Sequence, residues 1–561
     1  RRAPGASALA SELEKGCGAV QLAPAGGWGA AMAHLYDAVI IGGGHNGLTC
    51  GAYLAKAGLR TLVLERRHVL GGAAVSEEVV PGFTFSVFSY VMSLLHPKVI
   101  RDLALREHGL VVLPATDLFC PLDDHDSIIF SDDTQKTVRE FARFSKKDAE
   151  TYPAFAAHLE EAAAIVRQLL LETPIDPVRR DWRSFKETAR LLWRYRRIGR
   201  RFYRVVDLMT MSAYDYLARW FESDVIKAVF AYYASIGTYA GPKSPGSAYV
   251  IMHHLMGEHE GAGGWGFVRG GMGSISQAIA RSGRHHGLET RTDAEVARVL
   301  LKDGRASGVV TTAGEEIRAR AVACNASCKV LFEQLLPAEA LPSDFLDEIR
   351  SFRTFSTAFK INAACEAPPR YSAFDKARAG FDYPAYVHIG PDIDYLERAY
   401  DDAKHGWYSS QPFVTPVVPT TVDDTIAPAG KHVVHLFGGH APYELKNGTW
   451  EQERDDFART VLATMDRFAP GFSSQIIDMQ VLAPPDIERI LNLPNGHIFH
   501  GELALDQLFF QRPAPGYADY RTPIRGLYQC GSSAHPGGGV SGIPGHNAAR
   551  EILRDLRRRR S

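Results

Sequence analysis

The chain has 561 residues, 45% hydrophobic and 10% aromatic, enough to bury a large core and long enough for several interleaved domains. Its 63 lysines and arginines nearly cancel 64 aspartates and glutamates, so no global field holds a polyanion and nucleic acid is excluded as a charge-driven partner. No apolar run approaches the roughly 20 residues that span a bilayer, and the cysteines at 17, 50, 120, 324, 328, 365 and 530 include no CxxC pair or zinc-like quartet, so they read as buried thiols of a reducing compartment.

Residues 1–31, rich in Ala and Gly and carrying Glu12 and Glu14, stand apart from the fold. They fit a chain start upstream of a native one at Met32, a disordered tail, or the remnant of a targeting segment. From Tyr36 the run YDAVIIGGGHNGLTCGAYLAKAGLRTLVLERR predicts a strand, a glycine turn, a helix of small residues and a second strand ending in an acid, which is the βαβ dinucleotide fingerprint. Gly42 permits the tight turn, Gly44 lets the backbone approach a pyrophosphate, and Gly47 lets helix pack on strand. The helix N-terminus offers free N–H groups and partial positive charge to phosphates. Glu65 closes the second strand, where a carboxylate accepts ribose hydroxyls and disfavours a 2′-phosphate. His45, Asn46 and His68 fall in the turns, where backbone spacing explains them. A second glycine turn follows at once in ERRHVLGGAAVSEEVVPGF, at Gly71 and Gly72, and a nicotinamide dehydrogenase has no need of it.

Between about 141 and 235 the pattern turns helical. One stretch, KETARLLWRYRRIGRRFYRVV at 186–206, predicts an amphipathic helix with Leu191, Tyr195, Ile198, Phe202 and Val205 on one face and arginines on the others. Such a helix fits an anionic membrane surface, and equally a solvated helix packed on the core or at a subunit contact of a homo-oligomer. YVIMHHLMG carries His253 and His254, with Glu258 close behind, as candidate bases. The glycines Gly261, Gly263 and Gly266 repeat the GxGxxG spacing with no strand before them and read as a loop. From Gly270 come a glycine turn, a helix, and short strands punctuated at Asp303-Gly304 and Ala313-Gly314.

From about 345 to 500, segments such as FSTAFKINAACE and HVVHLFGGH predict strands of an antiparallel sheet covering the cofactor. IFHGELALDQ adds His500 and Glu502 as candidate bases. Near the C-terminus GLYQCGSSAHPGGGVSGIPGHNAAREILRDL predicts a strand, the glycines Gly531, Gly537 to Gly539 and Gly542, and a helix opened by Pro544. His535 lies among those glycines and is the third candidate for contact with cofactor or substrate. Arg557 to Arg560 read as a solvated basic tail. The motifs HExxH and HxxEH are absent and His285-His286 reads as a helix end, so no metal site is expected.

Together these segments resemble the phytoene desaturase-like branch of the FAD-dependent oxidoreductases. The strings PGSAYVIMHHLMG, GGWGFVRGGMG, PPDIERILNLPNGHIFHGELALDQLFF and CGSSAHPGGGVSG are similar to the pyridine nucleotide-disulfide oxidoreductase domain-containing protein 2 group over essentially Tyr36 to Leu556. Thiol-disulfide chemistry is set aside, because it needs a redox cysteine pair and a second nucleotide site, and neither is present in the sequence. The resemblance implies FAD, held by Gly42, Gly44, His45, Asn46, Gly47, Glu65, Arg66, Gly71, Gly72, Ala73, Val296 (backbone to adenine), Gly531, Gly539, Val540 and Gly542.

The expected fold is α/β, a Rossmann-like FAD-binding domain of the amine-oxidase-like (GR2) type with an interleaved α+β substrate domain of antiparallel sheet plus helical subdomain. Residues 32–120, 262–335 and 515–556 would build the FAD lobe, 121–261 a helical substrate or lid segment, 336–514 the sheet-bearing substrate domain, and 557–561 the tail. The expected reaction passes a hydride from an apolar or amphipathic small molecule to flavin N5, as a dehydrogenase, desaturase or isomerase, with His535, His254 and His500 as candidate catalytic groups. The alternatives are an amine oxidase on the same scaffold and a flavoprotein whose main task is protein interaction. The resemblance implies a cytoplasmic location in a bacterium and the mitochondrial matrix or inner-membrane surface in a eukaryote.

Overall fold

The computed structural model describes residues 36–115, 117–180, 182–257, 265–356 and 358–558. The leader, Glu258, Gly261, Gly263 and the last three residues of the basic tail lie outside them.

Strand Tyr36–Ile41 (β1) is almost wholly buried, as a central strand covered on both faces must be. It runs parallel to Thr61–Leu64 (β2), with Ile41 opposite Leu64, and to the second half of Glu316–Cys324, with Ile41 opposite Cys324. Glu289–Arg291 extends the sheet beyond β2, and Leu527–Gln529 extends it on the other side, both parallel. Strands from three distant stretches of chain therefore share one sheet. The first half of Glu316–Cys324 turns antiparallel against Arg305–Thr311, which pairs in turn with Val296–Lys302. The hairpin between the last two is closed at Asp303 and Gly304, both left-handed (φ 51° and 70°), as an Asp-Gly turn requires.

Between β1 and β2 the chain forms helix His45–Lys56 (α1), whose small residues admit close neighbours. A Cβ at Gly545, in the C-terminal helix Ile543–Arg558, would lie 2.1 Å from the Asn46 carbonyl oxygen, so the two helices meet backbone to backbone near their N-termini. Helix Gly273–His285 completes this layer and shares one apolar core with them.

The second lobe is built on an antiparallel sheet in the order Val414–Val417, His432–Gly438, Phe359–Cys365, Ile476–Leu482. Helix Trp450–Phe468 covers it, with Phe457 edge-on to Phe359 at 4.8 Å. Helices between Lys146 and Leu255 pack beside it around Phe155, Tyr216, Phe230 and Tyr232. The chain crosses into this lobe at the hairpin Leu118–Pro121 and Ser127–Phe130, where the Phe119 N–H donates to the Tyr386 carbonyl at 3.1 Å.

The helix expected over 186–206 is two helices, Trp182–Tyr195 and Arg201–Thr210. They are joined by a turn in which Gly199, amid four arginines, adopts a φ of 53°, a left-handed conformation that no continuous helix contains. The inward face expected of that helix also dissolves: Val205 is buried, Leu191, Tyr195 and Ile198 are half-buried, and Phe202 is exposed.

Candidate functional site

The first glycine turn sits where β1 meets α1. Gly42 donates its N–H to the Leu64 carbonyl at 2.8 Å, and the helix opens with Leu48 N–H on the Gly44 carbonyl. A Cβ on Gly47 would stand 2.2 Å from the Gly42 oxygen, so only glycine lets the helix start this close to the strand. The second turn lies directly against the first. Gly71 N–H donates to the Gly43 carbonyl at 2.9 Å, and Gly72, at φ 57°, faces the Cα of Gly44. The buried Glu65 carboxylate is fixed at the same place by the N–H groups of Gly43 (2.7 Å) and Arg67 (2.9 Å), and each of its oxygens keeps a lone pair for a ribose hydroxyl.

A cavity of about 300 Å³ opens from these turns. Of the expected cofactor positions, Gly42, Gly44, His45, Asn46, Glu65, Arg66, Gly72, Ala73, Val296, Gly539 and Val540 line it. Gly47, Gly71, Gly531 and Gly542 stand behind it and set the backbone; a Cβ at Gly531 would lie 2.3 Å from the Asn325 carbonyl oxygen. Asn46 gives its amide N–H to Ser532 Oγ at 3.1 Å, while its side-chain oxygen is buried without a protein partner, an acceptor left for a hydroxyl or N–H of a bound group. His45 donates to the Gly539 carbonyl at 3.1 Å, tying the first turn to the C-terminal glycines, and burial lowers its pKa to about 4. The N-termini of α1 and of Ile543–Arg558 thus converge on one end of the cavity, so both dipoles favour an anion there. A dinucleotide with a pyrophosphate and a polyhydroxyl chain fits this end.

The rest of the wall comes from the second lobe together with the Phe88–Tyr90 segment and Trp265. Phe88, Tyr90, Ile236, Trp265, Phe359, Phe437, Ile498 and Phe499 supply it, and the rings of Tyr90 and Phe437 stand 5.0 Å apart. Phe499 is wedged between Gly237 and Gly538, where added Cβ atoms would come within 2.0 and 2.1 Å of its ring. The loop carrying it is held by Arg512, whose fully buried guanidinium donates to the carbonyls of Phe499 (2.9 Å), Gly501 (3.2 Å), Glu502 (3.2 Å), Gln507 (3.1 Å) and Ser532 (2.9 Å). That single side chain joins the substrate wall to the C-terminal glycine segment.

Two of the three candidate catalytic histidines reach the cavity. His254 gives its Nδ1–H to the Val250 carbonyl at 2.8 Å, so its Nε2 carries the lone pair, and burial lowers its pKa to about 4. His500, held at φ 58°, has an unpartnered Nδ1 and is brought to about 3 by burial and the Arg512 charge. His535 does not line the cavity. Its Nε2–H is given to the Leu169 carbonyl at 3.0 Å, because this loop turns the backbone of Gly539 and Val540, not the His535 ring, toward the cavity. His253 and Glu502 also lie outside the lining, and Glu502 accepts from Arg353 at 3.2 Å.

The residue that sequence reading passed over is Lys360. It is the one charged side chain in the buried strand Phe359–Cys365, and it lines the cavity. Its Nζ donates to the carbonyls of Ser86 and Phe88 and lies 5.4 Å from the Tyr90 ring centre. Burial holds the amine well below its ordinary range. A lone charged residue inside a strand that is otherwise uncharged was the signal for it.

The family model for flavin containing amine oxidoreductases matches residues 47–465, and the chain belongs to that family of flavin enzymes. FAD is its cofactor, in agreement with the double glycine turn and Glu65. Within that class it is similar to pyridine nucleotide-disulfide oxidoreductase domain-containing protein 2 of Rattus norvegicus, at 40% identity over 93% of this chain and 94% of the rat protein. A limonene dehydrogenase polypeptide of Castellaniella defragrans is 27% identical over 93% of this chain and 94% of its own. Among solved structures, putrescine oxidase bound to putrescine shares the fold, with a TM-score of 0.59 at 15% identity over 93% of this chain and 99% of that one.

Proposed function

We propose that this oxidoreductase dehydrogenates an apolar or amphipathic small molecule. The observation that carries the reading is the distribution of charge in the cavity. Among the described residues its carboxylates are Glu65 and Glu295, both in the dinucleotide segments, and the wall beyond them is mostly aromatic and aliphatic, with Lys360, His254 and His500 set into it. Among those residues an ammonium substrate would find no carboxylate in that wall, and the face of Tyr90 already has an amine over it. The similarity to the limonene dehydrogenase polypeptide, named for a hydrocarbon substrate, points the same way.

Bound FAD supplies the hydride acceptor. Phe88, Tyr90, Phe437 and Phe499 exclude water and hold the donor carbon by shape. His254 and His500, kept neutral near pH 7 by burial, and Lys360, whose pKa burial lowers, are cavity groups placed to accept a proton from the carbon beside the one that loses hydride. Lys360 spends N–H bonds on two carbonyls, which keeps its amine in place and leaves its lone pair free when neutral.

The test is anaerobic titration of the purified yellow protein with a cyclic terpene, a linear polyene and a primary amine in separate cuvettes. Bleaching by a hydrocarbon and indifference to the amine is the expected result. Bleaching by the amine alone, with peroxide released when air is admitted, overturns the proposal in favour of an amine oxidase.

A further inference from the structure

The segment after Leu170 presents an apolar helix face outward. In helix Trp182–Tyr195 the residues Trp182, Phe185, Ala189, Leu192 and Trp193 recur at the spacing of a single helical stripe. That stripe faces solvent, with Trp182 71%, Phe185 63%, Leu192 68% and Trp193 66% exposed. The side turned toward the protein carries Ser184, Thr188, Leu191 and Tyr195, all buried or half-buried. A helix packed on a globular core has the reverse arrangement. The next helix, Arg201–Thr210, adds Phe202 and Tyr203 to the exposed surface while burying Val205 and Leu208. Elsewhere among the described residues the large exposed apolar side chains are spread along the sequence, from Val111 and Val178 through Phe355, Val422 and Ile477 to Leu505 and Phe510.

Charge selects what covers this face. From Trp182 to Arg204 the sequence holds nine cations against one acid, Glu187, in a chain whose net charge is −1. Arg194 is turned back onto Glu172 at 2.8 Å, and Arg201 and Arg204 onto Glu161. Lys186, Arg190, Arg196, Arg197 and Arg200 stay exposed around the stripe, with Arg196 lying over the Trp193 ring at 4.0 Å. A second copy of the chain would bring the same cations against these, which disfavours self-association through this face. An apolar stripe with an indole at each end and a rim of lysine and arginine suits the headgroup level of an anionic bilayer, where rings enter the acyl boundary and guanidinium groups meet phosphates.

We propose that Trp182–Tyr203 is a docking surface for an anionic lipid bilayer, on which the enzyme lies without spanning it. This does not depend on the reaction proposed above, and it stands or falls separately.

The experiment is co-sedimentation of the FAD-loaded protein with phosphatidylcholine vesicles, with and without phosphatidylglycerol, at low and high salt. Native protein should partition at least about tenfold more strongly onto the anionic vesicles and lose most of that at high salt. The quadruple variant Trp182→Ser, Phe185→Ser, Leu192→Ser, Trp193→Ser should lose binding about tenfold while keeping its flavin content and nearly its melting temperature, since all four residues are about two-thirds exposed. Equal binding to both vesicle types, or unchanged binding by the variant, overturns the proposal. So does a native dimer that the variant converts to monomer, which would assign the face to a second copy.

Discussion

The two walls of the cavity are made in different ways. The dinucleotide wall is backbone brought close by glycines: Gly42 to Gly47, Gly71 and Gly72, and the C-terminal glycines around Gly539. The substrate wall is side chains from segments as far apart as Tyr90, Trp265, Lys360, Phe437 and Phe499. In the first, geometry depends on what is missing at Cβ. In the second, it depends on large rings wedged by partners hundreds of residues away. Perturbing the first should therefore abolish cofactor binding outright, whereas perturbing the second should shift stability and substrate use in measurable steps.

The largest effect is expected at Gly47. Valine there would place a Cβ 2.2 Å from the Gly42 oxygen, so Gly47→Val should yield protein without flavin colour; retention of stoichiometric FAD would show that the turn relaxes cheaply. Next comes Phe499→Ala, which empties the slot between Gly237 and Gly538 and should cost about 3–5 kcal/mol in urea unfolding, with flavin still bound. A smaller loss, about 1.5–3 kcal/mol of FAD affinity, should follow Glu65→Gln, because the amide replaces a charged acceptor that is held by Gly43 and Arg67. An FAD dissociation constant changed less than threefold would count against Glu65 as the ribose ligand.

The smallest effect is a slope. Burial makes native Lys360 hold its proton less tightly than the unfolded chain, whose lysine value is 10.5, so the unfolded state binds more protons and stability rises as pH rises toward that value, by up to about 1.4 kcal/mol per unit. Unfolding free energies measured from neutral pH up toward 10 should show this rise, and Lys360→Met should remove it. A steeper loss of stability as pH falls below 6.5 should survive that substitution. It belongs to histidines buried neutral, among them His254 and His500, whose folded values lie at about 4 and 3 against 6.5 unfolded.

The same contrast explains what was legible in the sequence. The βαβ unit, the second glycine turn, Glu65 and the C-terminal glycines could be read because local spacing carries them, whereas Val296 came only from the family resemblance. The antiparallel sheet followed from alternation in FSTAFKINAACE and HVVHLFGGH, now the paired strands with Phe359 opposite Gly438. Histidine identity was a weaker guide. His254 and His500 reach the cavity but His535 does not, since neighbouring glycines say where the backbone goes and not where the ring points. Arg512 left no local trace at all, because its role exists only once the Phe499 and Ser532 loops are side by side. At 186–206 the periodicity was real, but the break at Gly199 and the outward turn of the stripe depend on tertiary packing that a helical pattern does not encode.

The strand Leu527–Gln529 joins the sheet only through Glu316–Cys324, which pairs with β1, and the helix that meets α1 follows it. During synthesis the first glycine turn therefore leaves the ribosome long before its partners. At about 5–20 residues per second the interval between Ile41 and Leu527 is on the order of a minute, and until it ends one edge of Glu316–Cys324 has no neighbour. Completion of the flavin site is then a late event in the life of the nascent chain.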